Sequence, residues 1–179
     1  MNTLVANLRL AATSTAVSCS RVFIAHTLRQ WNIPDLIDDA QLVVSELVTN
    51  SVKATGVMTP SPTWAELEGL KLLHVALFAH GHSVTIQVWD DSKEPPVKTG
   101  AGQDDEAEQG RGLFIVEALA LNVGCFFPRN GGKVVWAEMS AKGKAQDLPR
   151  RVRKPLENIL LPESDPVLLR LLLEGLQKL

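Results

Sequence analysis

The 179-residue chain has little cysteine, little excess charge and no long apolar run. Its two cysteines, Cys19 and Cys125, are too few for a disulfide framework. A formal net charge of −2 argues against a strongly basic nucleic-acid binder, so we expect no direct contact with nucleic acid. No apolar run reaches the roughly 18 residues that suggest a membrane span, so we expect no membrane association.

The N-terminal segment also lacks the features of a secretory signal. Arg9 interrupts its apolar stretch, nothing basic precedes that residue, and Cys19 follows a poor lipoprotein cleavage pattern. Because both thiols are expected to stay reduced, the sequence predicts a cytoplasmic protein.

The residues that are present fit a folded domain with one additional element. Hydrophobic residues make up 45% of the chain and charged residues 21%, which is ordinary globular usage. Residues 1–140 hold 10 basic and 15 acidic side chains, whereas residues 141–179 hold 8 and 5. We therefore predict a domain over residues 1–140, and a basic linker with a C-terminal amphipathic helix over residues 141–179.

Hydrophobic periodicity predicts helices and strands within the first 140 residues. Strands are predicted over 5–10, 71–79, 83–89, 123–127 and 133–139, and helices over 14–30, 34–55 and 113–121. Hairpin turns are predicted at 80–82 and 130–132. A loop over 91–109 is rich in glycine, proline and acid, and a loop of that length is usually functional or disordered.

Two polar side chains lie one turn apart on the second predicted helix. Glu46 and Asn50 are spaced i, i+4, so they share one helix face and could present oxygens to a hard cation such as Mg²⁺. Such pairs are also common on exposed helix faces, and a surface pair remains the alternative.

Two further segments could contact a nucleotide. Asp90 ends an otherwise apolar strand and could accept a hydrogen bond from an amino group, although Asp is also frequent where strands turn. Gly110-Arg111-Gly112 opens a helix, where free N–H groups attract phosphate. Neither the dinucleotide fingerprint nor a Walker loop fits, so any nucleotide site is of another type.

His80 and His82 flank a predicted turn without other ligands, and zinc is not expected.

Together, four segments in this order resemble the GHKL, or Bergerat-fold, ATPase superfamily over residues 4–140. The segments are Glu46-Leu-Val-Thr-Asn50, Val88-Trp-Asp90-Asp-Ser92, Gly110-Arg-Gly-Leu-Phe114 and Gly131-Gly-Lys-Val-Val-Trp136. The first is similar to a signature of the branch that contains bacterial anti-sigma factor serine/threonine kinases. The resemblance implies an α+β fold: a two-layer α/β sandwich, with a mixed, mostly antiparallel sheet and helices on one face, to which the C-terminal helical tail is added.

The resemblance also implies roles for the second helix and for Asp90. Asn50 would coordinate the Mg²⁺ that bridges the phosphates of ATP, and Glu46 would orient or deprotonate the attacking hydroxyl. Asp90 would bind the adenine amino group, and Lys53 could face phosphate. Such a division fits phosphoryl transfer, which depends mostly on positioning and charge neutralisation.

At the third motif, the resemblance implies a phosphate-binding helix start. Gly110 and Gly112 would let the backbone N–H groups of Gly112, Leu113 and Phe114 approach the phosphates, and Arg111 would add positive charge.

The sequence departs from the superfamily pattern at two places. Ser92-Lys93-Glu94 stands where many members have Gly-x-Gly, at the start of a lid implied over residues 92–109, which predicts a stiffer hinge. Val134 occupies a position where many relatives carry a Thr that helps hold adenine through water.

The function implied is that of an anti-sigma regulator that binds ATP and Mg²⁺. Such a protein would bind a sigma factor and, as a serine/threonine kinase, phosphorylate an anti-sigma factor antagonist. Members of this branch often dimerise, so a homodimer is also implied. Two alternatives stay open: a non-catalytic ATP-binding interaction module, and the catalytic domain of a histidine kinase, for which the chain is too short to hold the phosphoacceptor module as well.

Overall fold

The computed structural model describes residues 3–59, 63, 68–96 and 111–141. All of them fall within one compact unit, Met1–Ala145. The elements in chain order are β1 (Leu4–Ala11), α1 (Thr15–Gln30), a 3-10 turn (Pro34–Leu36), α2 (Ile37–Thr55), β2 (Leu72–His80), β3 (Ser83–Asp90), α3 (Arg111–Leu119), β4 (Asn122–Phe126) and β5 (Lys133–Ser140).

The five strands form one sheet in the order β1-β2-β3-β5-β4. All four strand pairings are antiparallel. A parallel contact occurs only outside the named strands of the described part, as an isolated bridge between Thr13 and Val57. The implied α+β sandwich is therefore confirmed, and its sheet is antiparallel throughout the described strands rather than mixed.

The core lies between the helices and one face of the sheet. Along β3, buried Val84, Ile86 and Val88 alternate with half-buried residues, as expected when one strand face packs on a core. Helix α2 contributes its own apolar stripe to the same cluster, including Leu47 and Val48. This packing fixes α2 against the centre of the sheet.

Two helices differ from the prediction by more than one residue: residues 34–36 form a 3-10 turn, so that α2 begins at Ile37, and both bounds of α3 are displaced by two residues. The helix begins at Arg111 rather than at residue 113 and ends at Leu119. It ends there because the backbone N–H of Leu121 donates to the carbonyl of Glu138 at 2.7 Å, which draws the chain onto β5. The predicted hairpin turn between β2 and β3 is confirmed, with Gly81 at a φ of 60°.

Two predicted features cannot be placed. The implied lid is described only as far as Pro96, and the predicted linker and C-terminal helix lie outside the described residues. In the part of the chain that the structure describes, no helix combines the length and the apolar character needed to cross a membrane.

Candidate functional site

Three of the predicted site residues lie on one surface of α2. Glu46 and Asn50 are half-buried and Lys53 is exposed, at successive turns of the helix. Val44 and Val48 are completely buried in the core, so the apolar stripe of the helix determines which way its polar residues face.

These three residues line a cavity of about 530 Å³ that all four sequence motifs border. Its walls come from α2 and Met58, the segment after β3, the start of α3, and the start of β5. The principal lining residues are Glu46, Asn50, Lys53, Met58, Ser92, Glu94, Pro95, Pro96, Gly112, Leu113, Lys133 and Val135. The fold thus brings together segments that are as far apart in sequence as residues 46 and 135.

Gly112 brings the start of α3 directly against the carboxylate of Glu46. A Cβ added at position 112 would collide with Glu46 Oε2. The contact requires a residue without a side chain, and it places the first turn of α3 against the carboxylate that α2 presents to the cavity. Free N–H groups in the first turn of a helix favour anions, so this edge of the cavity is suited to phosphate.

Asp90 is completely buried, with 0% exposure, because it continues the inward-facing series of β3. In the ladder between β3 and β5 it lies directly opposite Lys133. Directly opposite residues share a sheet face, and the Lys133 ammonium lies 3.2 Å from Asp90 Oδ1. The strand register therefore produces a buried ion pair at the cavity wall.

The turn before β5 secures this register. Gly131 and Gly132 have φ values of 94° and 73°, which disfavour any side chain. A Cβ on Gly132 would also collide with the Asp90 carbonyl and the Trp89 indole. The Trp89 indole N–H donates to the Gly131 carbonyl at 3.1 Å. The end of β3 thus holds the turn that delivers Lys133 to its position.

The two carboxylate oxygens of Asp90 have different environments. Oδ1 accepts from the backbone N–H of Ser92 at 2.9 Å and pairs with Lys133. Oδ2 is buried and has no hydrogen-bond partner among the described residues. A buried oxygen without a partner is costly, so Oδ2 is suited to accept a hydrogen bond from a ligand.

The remaining predicted residues are placed less centrally. Leu113 lines the cavity, but the side chain of Phe114 is 51% exposed and does not. Arg111 is the first residue of α3, and Gly110 lies outside the described residues. Asp90 is not among the residues that line the cavity, although Lys133, with which it forms an ion pair, is.

Val134 does not occupy the position that the resemblance implies. It pairs with Trp89, and strand alternation places both on the sheet face opposite the helices. Lys133 and Val135, its neighbours in sequence, are the β5 residues that line the cavity. Position 134 therefore faces away from the cavity, and the β5 residue that shares the face of Asp90 is Lys133.

Lys133 is the functional candidate that sequence reasoning missed. The resemblance assigns it no role, although it lies within the fourth motif. Two signals were available: it shares the strand period of Val135, Ala137 and Met139, which are apolar and buried, and it follows a Gly-Gly turn. A lysine in such a series must have a partner, and the β3 register supplies Asp90.

Two titratable groups near the end of β3 have shifted pKa values. Burial raises the pKa of the Cys125 thiol, opposed by the positive charge of Lys133 and assisted by the negative charge of Asp90. On the other sheet face, burial and then the charge of Arg9 lower the pKa of His74, whose ring lies 4.9 Å from that of Trp89.

The charged side chains that line the cavity are two lysines, Lys53 and Lys133, and two glutamates, Glu46 and Glu94. Because Lys133 is paired with Asp90, Lys53 is the lysine better placed to offset the charge of a phosphate. Within the described ranges no group of three or more His, Cys, Asp or Glu side chains could hold a metal ion. Asn50 and Glu46 could still supply one or two oxygens to Mg²⁺, which typically takes its other ligands from phosphate and water. The donor set therefore fits a magnesium that arrives with a nucleotide.

The fold and the cavity define a nucleotide-binding domain of the α+β class. A family model described as a histidine kinase-like ATPase domain matches residues 10–139. The chain belongs to this family, which is part of the GHKL superfamily that the four motifs resemble, and membership implies ATP binding. Comparison with curated proteins gave no match.

Proposed function

We propose that this chain is an ATP- and Mg²⁺-dependent regulatory protein of the anti-sigma type that acts as a serine/threonine kinase. The observation that carries the proposal is the cavity itself, which assembles Glu46, Asn50, Gly112 and Lys133 from separate elements. Membership of the histidine kinase-like ATPase family supports the nucleotide, and the Glu46–Asn50 motif supports the branch.

The cavity has a base end and a phosphate end. At the wall formed by Lys133, its partner Asp90 has in Oδ2 an acceptor with no partner among the described residues, suited to the adenine amino group. Asn50, Lys53 and the start of α3 offer the oxygen ligand, the positive charge and the N–H groups that a triphosphate with Mg²⁺ requires. When bound, Mg²⁺ neutralises charge on the phosphates.

Glu46 is the group best placed to act as the base in transfer. A serine or threonine hydroxyl oxygen of the substrate protein attacks the γ-phosphorus. The bond from that phosphorus to the bridging oxygen breaks, ADP leaves with the electron pair, and the hydroxyl proton passes to the Glu46 carboxylate. Gly112 limits where this carboxylate can lie, because the α3 backbone packs against it.

Calorimetry with ATP and Mg²⁺ tests the binding step. Asn50→Ala should weaken binding at least about tenfold, since a metal-linked contact to the phosphates is lost. Asn7→Ala is the matched control, because Asn7 is exposed on β1 and does not line the cavity. Equal affinity for wild type and Asn50→Ala would show that the site is assigned wrongly.

Labelled ATP with candidate antagonist proteins tests the transfer step. Glu46→Gln keeps the shape of the side chain and should lower transfer by roughly 10²–10⁴-fold, the usual contribution of a general base, while ATP still binds. Glu68→Gln changes an exposed carboxylate that does not line the cavity and should transfer normally. A sigma factor captured only when ATP is present would support the regulatory role.

One observation favours a second candidate, a non-catalytic ATP-binding module. The Ser92 N–H donates to Asp90, and the Glu94 N–H donates to Ser92 Oγ at 3.1 Å, so a bonded turn stands where many relatives have glycines. A stiff turn beside the base favours holding the nucleotide over turnover. Loss of a measurable transfer in Glu46→Gln would exclude this candidate.

A further inference from the structure

Lys133 is a buried cation to which the proposed reaction assigns no task. Its side chain is 6% exposed, and it is the only lysine in the buried core of the described ranges. Burying an ammonium group is costly, and pairing with Asp90 satisfies only part of its hydrogen-bonding capacity.

The ion pair presents a donor and an acceptor side by side. An ammonium group has three N–H donors, and the described residues provide Asp90 Oδ1 as a partner for one of them. Lys133 also lines the cavity. Asp90 Oδ2 is an acceptor that lacks a partner in the same part of the chain. A ligand edge that fits here has one acceptor next to one donor.

Adenine has such an edge, because its ring nitrogen N1 accepts and its amino group donates. Guanine also has an acceptor next to a donor, O6 beside N1–H, but its 2-amino group adds a second donor, and Asp90 Oδ1 is already occupied by Ser92 and Lys133. We propose that Lys133 is a specificity-determining residue whose ammonium donates to N1 of adenine, while Asp90 Oδ2 accepts from the amino group. The inference rests on the proposed function, since it requires an adenine nucleotide in this cavity.

Lys133 is less suited to phosphate than Lys53 is. The negative charge of Asp90 offsets that of the Lys133 ammonium, so the pair is close to neutral as a unit. Lys53 lies one turn beyond Asn50 and is exposed at the cavity wall. The residues thus divide between a base-reading pair on the sheet and a phosphate-binding group on α2.

Calorimetry in EDTA with ADP and 1-deaza-ADP, which replaces N1 by a carbon, tests the inference without Mg²⁺ or catalysis. Wild type should bind 1-deaza-ADP about 10–100-fold more weakly than ADP, the range for a hydrogen bond to a charged group. Lys133→Met keeps the length of the side chain but cannot donate, and it should bind the two nucleotides equally. Wild type should also prefer ADP over GDP.

A structural role alone would give another pattern. If Lys133 only supports the fold, Lys133→Met lowers the affinity for ADP and for 1-deaza-ADP by the same factor. The ratio of the two affinities then stays at its wild-type value, which overturns the inference. Equal binding of the two nucleotides by wild type overturns it without any variant. If Lys133→Met loses ADP but binds adenosine as wild type does, the ammonium contacts phosphate and the inference is also overturned.

Two controls keep the test decisive. Lys133→Met leaves a buried carboxylate without its cation, so the double variant Asp90→Asn, Lys133→Met, which removes both charges, is measured beside it with thermal melts. The double variant should be folded and should bind ADP and 1-deaza-ADP equally; a retained preference for ADP would contradict the inference. If wild type binds neither nucleotide in EDTA, the comparison is repeated with Mg²⁺. Absence of binding there as well ends both the proposed function and the inference, whereas binding without discrimination overturns the inference alone.

Discussion

Because Gly112 packs against Glu46, the effect of Gly112→Ala on stability should depend on whether the Glu46 side chain is present. Gly112→Ala introduces a methyl group at a position where it would collide with Glu46 Oε2. The same methyl group would lie 3.5 Å from Glu46 Cβ, which is ordinary van der Waals contact. The carboxylate is therefore the obstacle, and truncating it removes the conflict.

Two opposing effects determine the size of the change. Forcing an extra methyl group into a packed contact costs about 1–3 kcal/mol, and the lower half of that range applies because the end of Glu46 can rotate into the cavity. Replacing Gly by Ala inside a helix stabilises the folded state by up to about 1 kcal/mol, and by less in the first turn. Gly112→Ala should thus destabilise wild type by roughly 0.5–1.5 kcal/mol and be neutral or stabilising in the Glu46→Ala background.

Urea unfolding followed by tryptophan fluorescence on wild type, both single variants and the double variant gives the coupling directly. We expect a coupling energy of about 1 kcal/mol, above the usual additivity error of 0.3–0.5 kcal/mol. If Gly112→Ala changes the free energy of unfolding by the same amount in both backgrounds, the α3 backbone does not confine Glu46, and the account of how the carboxylate is positioned is wrong.

Three further predictions concern the core and the shifted groups. Leu77→Ala removes a completely buried side chain and should cost about 2–5 kcal/mol in urea unfolding, whereas Val22→Ala, at 69% exposure, should cost almost nothing. The pKa of His74 is lowered by burial, so the unfolded state binds the proton more readily than the folded state. The free energy of unfolding should therefore be unaffected above pH 6.5 and should fall as the pH drops below that value. His74→Gln should reduce this dependence of the free energy of unfolding on pH. Because burial raises the pKa of Cys125 and Cys19 is exposed, iodoacetamide at mildly alkaline pH should modify Cys19 first. In Cys19→Ser, mass spectrometry should show only the slow modification of Cys125. A fast modification in that variant would contradict the burial of Cys125.

The local part of the fold was predictable from sequence because the relevant signals are local. Alternation along β3 and helical spacing along α2 determine which faces are buried, and these patterns need no knowledge of partners. Glu46 and Asn50 could therefore be assigned to one helix face before any tertiary contact was known. The start of α3 was predicted two residues late, since the glycine that permits contact with Glu46 also reads as a helix breaker.

The site was less predictable wherever it depends on register. Placing Lys133 beside Asp90 requires knowing that β3 and β5 are neighbours and that these two residues are directly opposite. A shift of one residue would exchange Lys133 for Val134, which is the residue that the resemblance placed at the base. Comparison of the motifs located β5 correctly but placed Val134 rather than Lys133 on its inward face. The inward face is fixed only by the register in which β5 pairs with β3.

The position of β5 in the sheet has a consequence for the order in which the protein can form. Among the described strands, the last in sequence lies between β3 and β4, inside the sheet, while the first lies at an edge. During synthesis β3 therefore keeps one unpaired edge until residues up to 140 have been made, and β4 has no neighbouring strand to pair with. The Asp90 carboxylate likewise has no buried cation until that strand inserts, so the nucleotide site is the last part of the sheet to be completed.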